Sequence, residues 1–405
     1  MRVRYRRGMG ILSFSLAVVM LGYGMIIPIF PFLIEKLGAS GSDLGLLVAT
    51  SALTELLFGP IWGGVSDRIG RKPVLVLGLL GYGLSALLFG LSTQLWMLFA
   101  SRALSGVLSS ATLSTAMAYV GDTTSEEDRG GGMGWLGAAM AIGAILGPAL
   151  GGLLGGGSLS TPFFIAAGLS GAALLLALLL LPESLPVRAR VRSGGEGRSR
   201  LQARDLRQAL LSPIGVLCLL LFVVSFALAN FEAVFGLYAM EKHGYGPERV
   251  GMILMMMAIA STIGKGALAG PFTRRWGEAV VIRASTLAGS VGFVVLLLAN
   301  TYAWILFATG FFILSKTLLR PSLLSMVSKQ ATAGQGTTMG LSNSFMSLGR
   351  IVGPIWAGFA FDVDFSYPYL SGSVVLLIGF LISVLWVPQQ RREGCAGETP
   401  PVAGG

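Results

Sequence analysis

The chain has 405 residues, of which 54% are hydrophobic and only 12% charged, about half the charged share of a soluble domain. A soluble fold of this size cannot hide so much apolar surface, so the composition indicates a polytopic membrane protein. The net charge of +10 invites a nucleic-acid partner, but the bases lie in loops and tails between apolar runs and form no basic face, which argues against one.

Two cysteines, Cys218 in an apolar run and Cys395 near the end, exclude a disulfide framework and a cysteine metal site. The single histidine, His243, has no partner for histidine-based metal or acid–base chemistry. No nucleophile–base set and no Gly-x-x-x-x-Gly-Lys-Ser/Thr phosphate loop is present. Neither an enzyme nor a resident cofactor is expected, and an ion gradient is the natural energy source. The opening Met1-Arg-Val-Arg-Tyr-Arg-Arg7 has the charge of a signal peptide. The apolar run behind it is too long and lacks a small-x-small cleavage site, so it reads as a first spanning helix.

Apolar runs fall at 10–34, 43–65, 73–92, 95–121, 131–155 and 160–182, and again at 212–240, 248–272, 279–299, 301–327, 336–361 and 368–388. Each approaches or exceeds the ~20 residues that a helix needs to cross a bilayer. Lipid cannot satisfy free backbone groups, so spans of this length are helices. The expected fold is an all-α polytopic membrane protein with twelve transmembrane helices in two six-helix bundles. Residues 1–182 form one bundle, 183–211 a basic linker, 212–388 the second bundle, and 389–405 a Gly- and Pro-rich tail expected to be disordered. An even number of spans puts both termini on one face. That face collects Arg2, Arg4, Arg6, Arg7, Arg68, Arg71, Lys72, Arg129, the linker arginines, Arg274, Arg275, Arg283 and Lys329, against only Lys36, Lys242 and Arg249 opposite. The positive-inside rule makes the rich face cytoplasmic.

The two halves repeat. A shift of 206 positions lays Gly38 on Gly244, Gly45 on Gly251, Gly143 on Gly349, and Gly147-Pro148 on Gly353-Pro354. Such a repeat suits two pseudo-symmetric bundles around a central cavity.

Between the second and third runs lies Gly59-Pro-Ile-Trp-Gly-Gly-Val-Ser-Asp67-Arg68-Ile-Gly70-Arg71-Lys72-Pro73. Basic residues alone are ordinary in such a loop, but the acid and the glycines Gly63, Gly64 and Gly70 at these spacings are not. The stretch resembles the signature loop of the major facilitator superfamily of transporters, with Val65 in its usual leucine place. The second half holds a degenerate echo at Thr273-Arg-Arg-Trp-Gly-Glu278, one residue further out of register. The run Gly143-Ala-Ile-Leu-Gly147-Pro148-Ala-Leu-Gly151-Gly152 reads as close helix packing. It also resembles the motif of the antiporter branch, as residues 22–31 resemble the first helix of twelve-helix drug exporters. The resemblance implies that Arg102 in the fourth span assists proton transfer; the alternative is an arginine snorkelling to the outer face. It further implies that Asp122 pairs with Arg71. Asp67 would meet the N-terminus of the eleventh helix, locking the halves together when the cavity faces outward.

Arg102, Lys265, Lys316, Arg320, Arg350, Glu55 and Glu232 all fall well inside predicted spans. Charges there are expensive and usually face a partner or a cavity. Carboxyl groups in apolar settings exchange protons nearer neutrality than those in water. Glu232 is therefore the leading proton carrier, the alternative being an ion pair with Lys316, Lys265 or Arg350; Glu55 is the second, the alternative being a packing contact near the signature loop. Lys265, Lys316, Arg350, Phe231 and Phe235 are candidate cavity residues, with Phe30, Phe32, Phe226, Tyr238 and Met255–Met257 as further soft contacts. The excess of bases suits anionic or zwitterionic substrates, unless Arg320 reaches the inner boundary, so substrate charge stays open. The expected function is proton-coupled export of small amphipathic molecules by a monomer in the plasma (inner) membrane. A lipid or glycolipid flippase, an anionic-metabolite transporter, a proton-driven importer and a non-transporting receptor are the alternatives.

Overall fold

The computed structural model describes residues 2–125, 127–185, 213–330 and 335–387; the rest of the linker and the tail lie outside them. Among the described residues the chain is helical throughout, with twelve long helices and no strand. α1 is built of Arg2–Ile26, a 3-10 turn Ile27–Ile29 containing Pro28, and Phe30–Lys36. Then follow α2 (Gly41–Ile69), α3 (Arg71–Gly90), α4 (Leu95–Thr123), α5 (Arg129–Gly157) and α6 (Thr161–Leu180). The second half holds α7 (Pro213–His243) and α8, in which Pro247–Ile263 passes through a π turn, Gly264–Leu268, into Ala269–Trp276. It ends with α9 (Glu278–Leu298), α10 (Tyr302–Lys329), α11 (Gln335–Val363) and α12 (Tyr367–Trp386). Eleven of these helices are long and apolar enough to cross a membrane. The glycine- and serine-bearing α11 packs between α2 and α7 as the twelfth. Large apolar side chains such as Leu179 and Leu385 stand more than three-quarters exposed on the outside of the bundle, the mark of a lipid-facing surface.

The helix boundaries follow the repeat. Among the described residues all four with positive φ are glycines, and they pair across the halves: Gly38 (67°) with Gly244 (63°), and Gly70 (110°) with Gly277 (80°). At Gly70 the chain leaves α2 and re-enters a helix at once. A side chain would strain this backbone conformation, which glycine adopts freely. At the opposite end of α2, Ser40 and Asp43 form a reciprocal capping box.

The apolar core is forked. One cluster joins both halves at the end remote from the Asp67 loop: Ile29, Phe30, Ile34, Leu44, Leu47, Phe89 and Leu98 pack with Phe231, Phe235, Tyr238, Val250 and Ile253. At the Asp67 end the two halves hold separate clusters. One holds Leu12, Leu16, Leu79 and Tyr119 of the first half, and the other Leu217, Leu221, Ile282 and Leu323 of the second. The halves therefore touch at the remote end and part at the signature end.

Glycines make that contact possible, and they do so twice by the same geometry. A Cβ on Gly45 would overlap the Pro354 carbonyl oxygen, and one on Gly251 would overlap that of Pro148. Gly358 sits likewise against the Gly41 carbonyl, and Gly152 against that of Pro247. The α2–α11 and α5–α8 interfaces are thus the same interface under the 206-residue shift. In contrast, a Cβ on Gly59, Gly63 or Gly64 of α2, Gly134 or Gly137 of α5, Gly266 or Gly270 of α8, or Gly340 of α11 would meet nothing within 4 Å. At these positions no neighbouring helix approaches the backbone closely.

A carboxylate secures the remote end. Asp362, near the end of α11, accepts from the backbone N–H groups of Gly41 at 2.7 Å and Ser42 at 2.9 Å, capping α2 from the other half. Such a cap contributes about 0.5–2 kcal/mol. Asp362→Ala is therefore expected to reduce the remote-closed population relative to the alternative by about 2- to 30-fold. Spin-label distances between the remote ends of α2 and α11 would show this as a longer component, and an unchanged distribution would rule the cap out as a latch.

Candidate functional site

The cleft between the halves holds a cavity of about 760 Å³ lined by α1, α2, α4, α7, α8, α10 and α11. Helical periodicity sorts the neighbouring residues of α7. Glu232 faces the cavity with Ala229, Ala233, Phe235 and Gly236. Phe231, about 100° away around the helix, is fully buried and packs on Phe235, Phe293, Phe312 and Tyr369 with ring centroids 4.8–6.3 Å apart. Phe231 is thus a core residue, which corrects its assignment to the cavity. Of the other soft residues expected there, Phe30 and Phe235 line it, whereas Phe226 and Tyr238 are buried in packing. Met346 of α11, not singled out in the sequence, lines it too.

The intramembrane charges converge on this cavity, each with a different partnership. Arg350 of α11 reaches across the cleft to Glu55 of α2 at 3.1 Å, joining the halves mid-membrane. Lys316 of α10 is 5% exposed, donates to the Val224 carbonyl at 3.4 Å and lies over the Phe312 ring at 4.6 Å. Arg102 is equally buried, with its guanidinium 4.2 Å above the Phe30 ring and within 6 Å of Tyr23 and Phe89, and its Nε makes no hydrogen bond. It does not snorkel to the surface; the aromatic cage supplies cation–π attraction in place of water. Glu232 faces the charges of Lys316, Arg350 and Lys265 but makes no hydrogen bond or ion pair with any described residue. Its carboxyl is left free for a proton or a ligand.

At the signature end the residues of the loop form a closed network. Arg71, 7% exposed, donates through Nε to Asp122 at 2.8 Å, and through Nη1 to Asp67 at 2.6 Å and the Ser66 hydroxyl at 2.6 Å. Lys72 donates to the Leu178 carbonyl at 2.7 Å, and Arg68 stands exposed. Asp67 is engaged by Arg71 within its own half while the cleft stands open at this end. Glu183, which the sequence did not single out, caps α3: its carboxylate accepts from the backbone N–H of Arg71 at 2.8 Å and of Lys72 at 3.2 Å. The signal was an acid directly after the sixth run, ahead of the linker arginines.

On α5, Gly143, Gly147 and Gly151 press against the α1 backbone at Ala17, Leu21 and Met25, while Pro148 and Gly152 meet α8 of the other half. The glycine motif therefore serves two interfaces at once.

Comparison with known proteins agrees with this architecture. The Major Facilitator Superfamily profile matches residues 12–354 and again 217–400. The chain belongs to the major facilitator superfamily. It is 32% identical over 386 residues to Multidrug resistance protein 2 of Bacillus subtilis, covering 95% of this chain and 96% of that one. It is 27% identical over 383 residues to the quinolone resistance protein NorA of Staphylococcus aureus, covering 95% and 97%. In fold it resembles a bacterial homologue of the human lysosomal transporter Spinster, solved inward-facing and unoccupied, with a TM-score of 0.73, 15% identity, and coverage of 95% and 98%. Membership of this superfamily makes the chain a multi-pass membrane transporter of small molecules and not an enzyme.

The echo of the superfamily loop carries an inverted ion pair. Arg71 at the start of α3 pairs with Asp122 at the end of α4; one residue beyond the 206 shift, Glu278 at the start of α9 pairs with Lys329 at the end of α10 and accepts from Ser325 at 2.7 Å. The role of the pair survives the exchange of its signs. Glu278 is 6% exposed, so Lys329→Glu would set two carboxylates together and is expected to cost about 1–3 kcal/mol. A melting temperature several degrees lower, largely restored by adding Glu278→Lys, would show that pairing matters more than polarity. Equal loss in the double variant would refute that.

Proposed function

We propose that the chain is a proton-coupled exporter of small amphipathic molecules that works by alternating access as a monomer, drawing on the proton gradient and on no bound cofactor. The observation that carries this reading is the single cavity-facing carboxyl of Glu232, unpaired within a cavity open at one end. The superfamily relatives named for multidrug and quinolone resistance support export of drug-like compounds. Glu232 is the proton site. Arg102, held in its aromatic cage nearby, contributes a fixed positive charge that influences proton exchange. The Glu55–Arg350 pair, both members about half exposed, is a mid-membrane link between the halves.

The signature end is the cytoplasmic end, because the basic residues crowd there and positive charge stays inside. On this orientation the protein is in the plasma membrane, both termini are cytoplasmic, and the open cleft faces inward. Return to the outward-facing state separates the paired Gly45–Pro354 and Gly251–Pro148 contacts and closes the signature end, where Asp67 exchanges Arg71 for the N-terminus of α11. Ligand and proton each drive this exchange only by their differential affinity for the two states.

Two measurements test the reading. Inside-out vesicles carrying the protein and energised acid-inside should accumulate at least one member of a panel of cationic, neutral and anionic dyes. Glu232→Gln should equilibrate that dye without accumulating it; unchanged accumulation in the variant would remove Glu232 as the coupling group. Cys395 in the tail should react with a membrane-impermeant maleimide in inside-out but not in right-side-out vesicles, Cys218 being buried. The opposite pattern would invert the topology.

A further inference from the structure

Five cationic side chains line the cavity, Arg102, Lys265, Lys316, Arg320 and Arg350, against one carboxylate, Glu232. Three of the five are accounted for by the protein itself. Arg102 is caged by aromatic rings, Lys316 is bound to a carbonyl and a ring face, and Arg350 is paired with Glu55. Lys265 and Arg320 are left. Both face the cavity, both are accessible from it, and neither makes a hydrogen bond or ion pair with any described residue.

These two charges also work against each other. The field of Arg320 acts on Lys265 and that of Arg350 on Arg320, and the Glu232 carboxyl, without contact, offsets of the two only the charge at Lys265. Like charges gathered inside a span are costly unless something anionic joins them. The backbone is arranged to keep them there. Lys265 sits in the π turn of α8, beside Gly264, which packs directly on Thr317 of α10. Turns of this kind are rare and concentrate at functional sites. Arg320 is followed by Pro321, itself a wall residue of the same cavity. Arg320 thus faces the cavity, where basic side chains outnumber the one carboxylate.

We propose that Lys265 and Arg320 form a subsite for the acidic group, a carboxylate, sulfonate or phosphate, of an amphipathic ligand. A planar guanidinium and a compact ammonium together suit such an oxyanion. The apolar part of the ligand lies along Leu254, Phe235 and Met346, and the Glu232 carboxyl stays available for the driving proton. This assignment names the ligand chemistry of the cavity and rests on the transport reading above.

Three probes with one hydrophobe and different charge test it on the purified full chain in neutral detergent: pyrenebutyrate, its methyl ester, and a pyrenylalkyl trimethylammonium cation. Pyrenebutyrate should bind about tenfold more tightly than either of the others, and less tightly as salt is raised. Lys265→Gln and Arg320→Gln should each erode that preference severalfold, and together abolish it, with binding of the ester unchanged. Lys265→Arg should keep it, since the charge is retained. Tightest binding of the cation, or equal loss of ester and carboxylate in the variants, would overturn the subsite. Competition by phosphatidylglycerol but not phosphatidylcholine vesicles, lost in the double variant, would identify the acidic group as a lipid headgroup. The absence of such competition would identify a free amphipathic anion. Dye accumulation in energised vesicles is scored separately: accumulation without carboxylate preference would refute the subsite alone, and carboxylate preference without any accumulation would refute the transport reading alone.

Discussion

Everything in this structure depends on the contact of helix backbones at the end remote from the Asp67 loop. Gly45 on Pro354 and Gly251 on Pro148 bring helices from opposite halves together without intervening side chains. In a lipid environment, where the hydrophobic effect no longer drives helices together, such close approach and its dispersion gain are the available glue. Because the contact occupies only one end, the rest of the interface is free to separate. The forked core follows from the same constraint: it is continuous where the glycines meet and divided where they have no partner.

That geometry determines where charge can reside. A cleft open at one end admits water, and charged side chains that would be prohibitive against lipid are tolerable along it. Glu55 and Arg350 can bridge the cleft, Lys316 and Arg102 can lean on aromatic rings, and Glu232 can stand unpaired. Two carboxylates mark the ends of the two cross-half helices: Asp362 on α11 caps α2 at the closed end, while Asp67 on α2 is held by Arg71 at the open end. Each acid lies near the C-terminus of its helix, where it can serve the N-terminus of the antiparallel neighbour. The α2–α11 interface thus carries an acid at either end, and the 206-residue shift lays neither on another acid.

The charge-exchanged pair of the echo loop shows how much sequence the repeat can lose while keeping its physics. Arg71–Asp122 and Glu278–Lys329 tie the same helix start to the same helix end with opposite polarity. Gly70 and Gly277 keep their positive φ because no other residue adopts it cheaply, whereas an ion pair needs only complementarity.

The sequence by itself determined the class, the twelve helices, the repeat and the loop that carries the family resemblance. These are written in local quantities: run length, the periodic return of apolar residues, and glycines at fixed spacing. It also placed seven ionisable residues in the membrane, since a charge within an apolar run is visible without a fold. It could not say which of those charges meet, because Glu55 and Arg350 are joined only by the packing of α2 on α11. Nor could it separate Phe231 from Phe235, four residues apart on one helix, since the division between core and cavity depends on what α9, α10 and α12 place against them. The sequence did not single out Glu183 or Asp362. Their roles as caps on α3 and α2 exist only because the tertiary structure brings free N–H groups to them. The charge of the cavity was decided last. That Arg320 turns to the cavity is set by how α10 packs against its neighbours, which no local pattern records.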